Sequence, residues 1–454
     1  MIKLITLATL VPFLYGCGQS KESDTSFRKT VTYNSLSSNP IPLKKQSKSC
    51  FGKKFASTLF DLKLFDGSSV NATSYEYANL LDELFVRDLG RKVIHSSFYN
   101  QSLDYKITQK LNGDVSYSGG ELSSPLDVTV CPEIDYHEES IENATLSANY
   151  FINKTAQEVK KASPDVNLPA IKLNIGPLIK ITTIQERYTD ILMESSYWVD
   201  NASYSPSTQT ISFYPQSAEA KKAGMKTTFW QVPMVSSHEY GHHVFNQIFP
   251  FDLSNKEVHV CVDNRALEDE SFSSQEPFKV KEVIRSFNEG FADLVANYAL
   301  SQKEVSLRGI VCMEDNRELK SSVFKNGSKK MFDYLTIFSI FNSWYSPTRT
   351  SCYDPDFKDI HTVGAVFAYF ADSYLNEYTT SNTEKLRVLV EWVKELKNDY
   401  NKNKNKDPEK YFKLSMQNFV KLAPKVLGQA ITPAACQKAE NLYYNLTTDL
   451  PECR

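Results

Sequence analysis

The chain has 454 residues and a mass of 51.6 kDa, a length that usually forms about two or three domains and buries sizeable cores without metals or disulfides. Hydrophobic residues make up 41% and charged residues 23% of the sequence, which excludes collagen-like, coiled-coil and disordered proteins. Lys and Arg number 51 and Asp and Glu number 54, a net charge of −3, so we expect no nucleic-acid partner.

The first 17 residues have the pattern of an export signal. A positive start at Lys3 is followed by an apolar run over 4–15 that is too short to span a membrane stably. The run ends in Leu14, Tyr15, Gly16 and Cys17, which resembles the lipobox of bacterial lipoproteins. The resemblance implies an exported outer-membrane lipoprotein, anchored through a lipid on Cys17 and facing the periplasm or the exterior. The alternative is an ordinary signal peptide with an incidental cysteine.

The residues after Cys17 have the composition of a tether. Residues 18–49 are rich in Ser, Lys, Asn and Thr and predict a flexible segment that holds the folded part off the membrane. Export places the other seven cysteines in an oxidising compartment, where an odd number allows at most three disulfides. Cys436 and Cys453 bracket a short C-terminal stretch and are the pair that we expect first.

The remaining chain divides into three predicted regions, at 50–142, 143–380 and 381–454. In the first, short alternating segments are separated by Gly, Ser, Asn and Pro, which predicts a β-rich N-terminal region with strands at 104–108 and 127–130. The last region is predicted to be mostly helical, interrupted by a Lys- and Asn-rich loop at 397–407.

The middle region contains both helical and strand-like patterns. Apolar residues at helical spacing predict helices at 144–161, 227–248, 280–301 and 361–378. Short β-branched segments predict strands at 171–175, 179–184 and 211–214, the last after a turn at 203–207. The mixture indicates an α+β fold.

A short histidine motif is the strongest functional signal in the sequence. It consists of five consecutive residues between two apolar segments: His238, Glu239, Tyr240, Gly241 and His242. Because four residues turn a helix through about 400°, His238 and His242 share a face, where two imidazoles can bind one Zn²⁺. Glu239 lies beside them at the open side of the metal. The alternative is a helix that carries these side chains on its surface.

A second motif runs from Asn288 to Asp293 in another apolar-flanked helical stretch. Glu289 and Asp293 are again four residues apart and share a helix face. One carboxylate can complete a catalytic zinc site of two histidines and one glutamate. The other can accept a hydrogen bond from the far ring nitrogen of a ligand histidine. The apolar neighbours indicate a buried segment, in which carboxylates require partners.

Together the two motifs resemble the gluzincin metallopeptidases, the thermolysin-like clan, over about residues 144–378. The resemblance implies a zincin-like catalytic domain, with a mixed-sheet upper lobe, a helical lower lobe and a cleft between them. It implies that zinc is bound by three side chains, His238, His242 and Glu289. Glu239 would then be the general base, and Asp293 and Asn288 would support the ligand histidines.

Two further segments fit this resemblance. Asn201 and Ala202, before the strand-like segment 210–214, are similar to the edge strand on which the family holds an extended peptide. His361 is similar to the histidine that stabilises the oxyanion, and a buried structural histidine is the alternative. The sequence departs from the family in an insertion at 249–277, which we interpret as a surface loop, with a lid or an exosite as alternatives.

The resemblance therefore predicts a membrane-tethered zinc metalloendopeptidase that acts on a peptide or protein substrate. Two alternatives stay open: a catalytically silent zincin-like lipoprotein that serves as a binding module, and a cell-wall amide hydrolase with the same site. The intact ligand set and base favour an enzyme, but the chemistry of a site does not identify its substrate. Residues 50–142 are interpreted as a pro-segment or as further strands of the catalytic fold.

Overall fold

The structure is a computed structural model that describes part of the residues of the chain. These are Pro40, 59–63, 69–73, 94–98, 102–109, 115–119, 126–130, 140–186, 191–197, 199–222, 229–251, 280–300, 360–403, 408–442 and Cys453. Cys17, the tether at 18–49 apart from Pro40, and the insertion at 249–277 beyond Phe251 lie outside them.

The described strands come mainly from the first half of the chain. In chain order they are β1 (Leu59–Lys63), β2 (Ser69–Thr73), β3 (Ile94–Phe98), β4 (Ser102–Gln109), β5 (Val115–Gly119), β6 (Leu126–Val130), β7 (Lys172–Ile175), β8 (Leu178–Glu186), β9 (Ile191–Tyr197), β10 (Ala202–Ser205) and β11 (Thr210–Phe213). The strands predicted at 104–108, 127–130, 171–175, 179–184 and 211–214 are all present to within about two residues.

The strands form two mixed sheets and one hairpin. The larger sheet has the order β10-β11-β7-β3-β6, in which the two central pairings, β11 with β7 and β7 with β3, are parallel and the outer two are antiparallel. The smaller sheet has the order β5-β4-β8-β9, and β1 pairs with β2. Strands from before and after residue 142 therefore share both sheets. The domain boundaries themselves stay predictions.

The helices lie mainly in the second half. They are α1 (Ile141–Ala162), α2 (Ala218–Lys222), α3 (Pro233–Ile248), α4 (Val280–Ala299), α5 (Ile360–Leu375), α6 (Asn382–Asn403), α7 (Pro408–Leu427) and α8 (Pro433–Leu442). With the sheets they confirm the predicted α+β class. None of these helices combines the length and the apolar character needed to cross a bilayer.

An aromatic cluster packs α4 and α5 against the two long C-terminal helices. The Trp392 ring on α6 lies 5.1 Å from Phe287 on α4 and 4.6 Å from Phe367 on α5. Phe412 on α7 stacks on Phe287 at 5.3 Å, and Trp392 Nε1 donates a hydrogen bond to Ser415 O. Large buried aromatic rings contribute strongly to core stability, so this cluster holds the helix that carries the second motif in place.

Two predicted boundaries around the histidine motif are wrong, for local reasons. Helix α3 begins at Pro233 and not at 227, because the ring of proline favours the first helical position and keeps Val232 in an extended conformation. Residues 203–205, predicted as part of a turn, belong to β10 instead. The turn of this hairpin lies at 206–209 and uses Gln209 at φ 50°.

The predicted loop at 397–407 is wrong over its first part, because α6 continues to Asn403. Tyr400 lies within this stretch, and its ring lies 5.6 Å from Phe249 and 5.1 Å from Phe251. Tyr411 also donates a hydrogen bond to Leu396 O. These tertiary contacts stabilise a helical end whose Lys and Asn residues suggest only a solvated loop. The predicted disulfide between Cys436 and Cys453 is confirmed.

Candidate metal centre

Helix α3 places both histidines of the first motif on one buried face. The His238 and His242 rings lie 4.5 Å apart between centroids, as expected for side chains one turn apart. His238 is 6% exposed and Glu239 is 7% exposed, so the motif is not a surface helix. Ser237 directly precedes His238 in the sequence, and its Oγ accepts a hydrogen bond of 2.8 Å from Thr155 on α1. This bond fixes the first turn of the motif against α1.

Helix α4 brings the second motif to the same place. The Glu289 Oε2 atom lies 3.3 Å from His238 Nε2 and 3.6 Å from His242 Nε2. Within the described part of the chain, these three residues form the one group whose ligand atoms all lie within 4.8 Å of one another and could hold a metal ion. The site therefore joins two helices that are about 50 residues apart in the sequence.

The other ring nitrogen of each histidine faces an oxygen. His238 Nδ1 lies 2.8 Å from Asp293 Oδ1, and His242 Nδ1 lies 3.1 Å from Asn288 Oδ1. Because a carboxylate and an amide oxygen can only accept, each Nδ1 carries the hydrogen and donates. Nε2 of each ring is then the nitrogen left to bind a metal, and both Nε2 atoms face the Glu289 carboxylate. Three electron-pair donors that converge in a buried place fit a bound cation.

Close helix packing makes this convergence possible. A Cβ atom added to Gly241 would lie 2.7 Å from the Cα of Ala292, so α3 and α4 touch through their backbones. A Cβ atom on Gly290 would lie 2.3 Å from Gly364 O on α5. The sequence singles out both glycines only as parts of motifs. In the fold, each glycine lies where two helices touch: Gly241 between α3 and α4, and Gly290 between α4 and α5.

The predicted peptide-binding segment lies at the edge of the larger sheet. Tyr214 N–H donates to Asn201 O at 2.9 Å, which marks this pair as hydrogen-bonded. Because such pairs alternate along antiparallel strands, Ser203 and Ser205 also face β11, and the backbone groups of Ala202 and Tyr204 face away from it. Ala202 N–H donates to Asn201 Oδ1 at 2.8 Å. No described strand pairs with this outer edge of β10.

His243 connects the edge strand β10 to α3, the helix that carries His238 and His242. It is fully buried, and its Nδ1 lies 3.0 Å from Tyr204 Oη on β10. Its Nε2 lies 3.2 Å from Pro169 O, three residues before β7. Burial lowers the pKa of His243 to about 4, so the ring is neutral at pH 7. His243 is not part of the metal-binding group found in the described residues.

The side chains of two other predicted site residues lie outside the part of the chain that the structure describes. His361 lies in the first turn of α5, three residues before Gly364, and its side chain is outside the described part. Cys17 is also outside it. The role of His361 and the lipid on Cys17 therefore stay predictions.

Comparisons with known proteins add no family assignment. No protein-family model matches the chain, and no curated protein matches its sequence. The functional reasoning therefore depends on the site itself.

Proposed function

We propose that the protein is a zinc-dependent peptidase of zincin-like fold, exported and held at the outer membrane by a lipid on Cys17. The observation that carries the proposal is the spacing of the ligand atoms. Ligands about 2.0–2.1 Å from a tetrahedral zinc ion are about 3.3–3.4 Å apart. The Glu289 Oε2 atom lies 3.3 and 3.6 Å from the two histidine nitrogens, in agreement with that spacing.

The donor set also fits a catalytic site better than a structural one. Structural zinc sites use four protein ligands, commonly cysteines, whereas two histidines and one glutamate leave a position for water. A zinc ion in this set would lower the pKa of bound water and polarise a carbonyl group. Asp293 and Asn288 hold the two imidazoles in the tautomer that presents Nε2 to the metal.

Glu239 is the general base in this proposal. It follows His238 directly on α3, so it lies about 100° around the helix from that ligand. Its carboxylate takes the proton of the attacking water and passes it to the leaving amine. His361 would donate a hydrogen bond to the oxyanion from the start of α5.

An extended peptide pairs with the outer edge of β10 in this proposal. Ala202 O, Tyr204 N–H and Tyr204 O are the backbone groups that the strand register directs away from β11. Backbone pairing of this kind provides affinity with little preference for sequence. The outer edge of β10, with which no described strand pairs, therefore supports a peptide or protein substrate over a small molecule.

The test compares the full-length protein in detergent with Glu239→Gln, and uses Glu395→Gln, an exposed change on α6, as the matched control. We expect about one zinc ion per chain in all three proteins. Cleavage of unfolded casein should be abolished by a chelator and fall about 10²- to 10⁴-fold in Glu239→Gln only.

Other results select among the alternatives. Zinc binding without cleavage of any polypeptide would refute the peptidase and favour a binding module. Cleavage of purified peptidoglycan, but not of casein, would favour the cell-wall amide hydrolase. Absence of zinc from the folded protein would refute the ligand assignment. Incorporation of labelled fatty acid, lost in Cys17→Ser, tests the anchor separately.

A further inference from the structure

Buried hydrogen bonds through His243 connect α3 to β10 and to the segment before β7. Tyr204 Oη lies 3.0 Å from His243 Nδ1, and Pro169 O lies 3.2 Å from His243 Nε2. The Tyr204 and His243 rings also meet edge to face, with centroids 5.5 Å apart. Tyr204 is 5% exposed and His243 is fully buried, so water does not compete for these bonds.

The direction of each bond follows from the chemistry of the partners. A proline carbonyl can only accept, so His243 Nε2 carries the hydrogen and donates to it. In the tautomer that donates from Nε2, Nδ1 of the same ring is the acceptor for the Tyr204 hydroxyl. The Tyr204 hydroxyl is also hydrogen-bonded to the side chain of Gln247, which lies on α3 as well.

The hydrogen bond between Tyr204 and His243 joins the two parts of the proposed site that must be aligned. Tyr204 directs its backbone to the outer edge of β10, where a peptide would pair, and its side chain to α3. His243 directly follows the candidate ligand His242. Apolar packing alone is non-directional, whereas the bond from Tyr204 to His243 fixes the position of β10 along α3, and the bond to Pro169 holds the segment before β7 to the same ring.

We propose that Tyr204 and His243 are positioning residues that set the distance between the peptide-binding edge of β10 and the metal centre. This inference rests on the proposed peptidase function. Neither side chain touches the reacting atoms. The pair acts on an extended substrate by holding its scissile bond at the metal while its backbone is bound by the strand.

The central variant is Tyr204→Phe, which removes one hydroxyl group and keeps the ring. Tyr411→Phe is the matched control, because it removes another buried hydroxyl, bonded to Leu396 O, from the C-terminal helices. For an extended peptide we expect kcat/KM to fall about tenfold in Tyr204→Phe, mainly through KM. For a short substrate that does not reach β10, and for the control, the change should be less than about twofold. Zinc affinity should stay within about threefold of wild type.

Two substitutions of the histidine separate its two bonds. His243→Asn places an amide oxygen near the Nδ1 position and can still accept from Tyr204, so KM should stay close to wild type. His243→Gln places an amide nitrogen near the Nε2 position and keeps only the bond to Pro169, so it should match Tyr204→Phe. An equal loss with long and short substrates, or the reverse order of the two variants, would overturn the inference.

Amide hydrogen exchange provides a readout that needs no activity. Exchange in residues 201–205 should be faster in Tyr204→Phe and unchanged in Tyr411→Phe, with or without zinc. Unchanged exchange in Tyr204→Phe would overturn the tie between strand and helix, even in an active peptidase. Faster exchange in a protein that cleaves no peptide would leave the tie standing and refute the proposed function alone.

Discussion

Substitution of Gly290 by alanine tests whether the site depends on backbone contact between helices. Gly290 follows Glu289 on α4 and faces Gly364 on α5. An added Cβ atom would lie 2.3 Å from Gly364 O and 2.7 Å from Phe367 Cδ1, where ordinary contacts begin at 3.4 Å. Relief of the closer contact requires the helices to separate by about 1 Å, from the difference between 3.4 and 2.3 Å.

Two opposite effects decide the sign of the result. Alanine is favoured over glycine inside a helix by about 1 kcal/mol. Overpacking of a close contact costs about 1–3 kcal/mol, and more where the obstacle is backbone that cannot rotate away. Because Gly364 O is a backbone atom, the cost lies at the upper end of that range, and we expect Gly290→Ala to lower the free energy of unfolding by about 2 kcal/mol.

The metal site should respond as well, because Glu289 moves with its neighbour. A shift of about 1 Å is large compared with the roughly 0.2 Å within which metal–ligand distances are held. Zinc affinity should therefore fall about tenfold or more, measured by competition with a chelator. Urea unfolding of the metal-free protein measures the stability change independently.

Gly428→Ala is the matched control. Gly428 follows α7 at φ +69°, and a Cβ atom there would meet no heavy atom within 4 Å. The left-handed conformation alone should cost about 1 kcal/mol, with zinc affinity unchanged. If Gly290→Ala is as stable as wild type and binds zinc equally well, the close packing of α4 and α5 does not determine the geometry of the site.

Two further predictions concern bonds that the structure shows. Asp293→Ala removes the acceptor for His238 Nδ1 and should weaken zinc binding about 10- to 100-fold in a competition assay; unchanged affinity would mean that this bond does not orient the ligand. The double change Cys436→Ser and Cys453→Ser opens a bond between residues 17 apart in sequence and should lower the free energy of unfolding by about 3 kcal/mol. An unchanged urea midpoint without reductant would contradict that prediction.

Local pattern was sufficient for most elements but not for their ends. The helix at 144–161 and the strand at 104–108 follow from short-range periodicity, and both are present. The C-terminal extension of α6 to Asn403 depends on Tyr400 packing against Phe249 and Phe251, far away in the sequence. Strand β10 depends on pairing with β11, which no single segment reveals.

For the candidate site too, some features follow from local sequence and others only from the tertiary structure. The spacing of His238 and His242 on one helix fixes their common face, so the sequence alone determines that two imidazoles can act together. Glu289 and Asp293 share a face for the same reason, and their residue types indicate ligand and support. Which supporting side chain meets which histidine is not local information. The structure places Asp293 on His238 and Asn288 on His242.

Side-chain type and helical period thus determined which groups can act together at the candidate metal site, because both act within a few residues. The tertiary structure decided the distances, because the approach of α3 and α4 depends on Gly241 meeting Ala292, and that of α4 and α5 on Gly290 meeting Gly364. It also decided that His243 is bonded to Tyr204 on the edge strand. Contacts between distant segments carry no periodic signal in the sequence, so only the packed fold contains them.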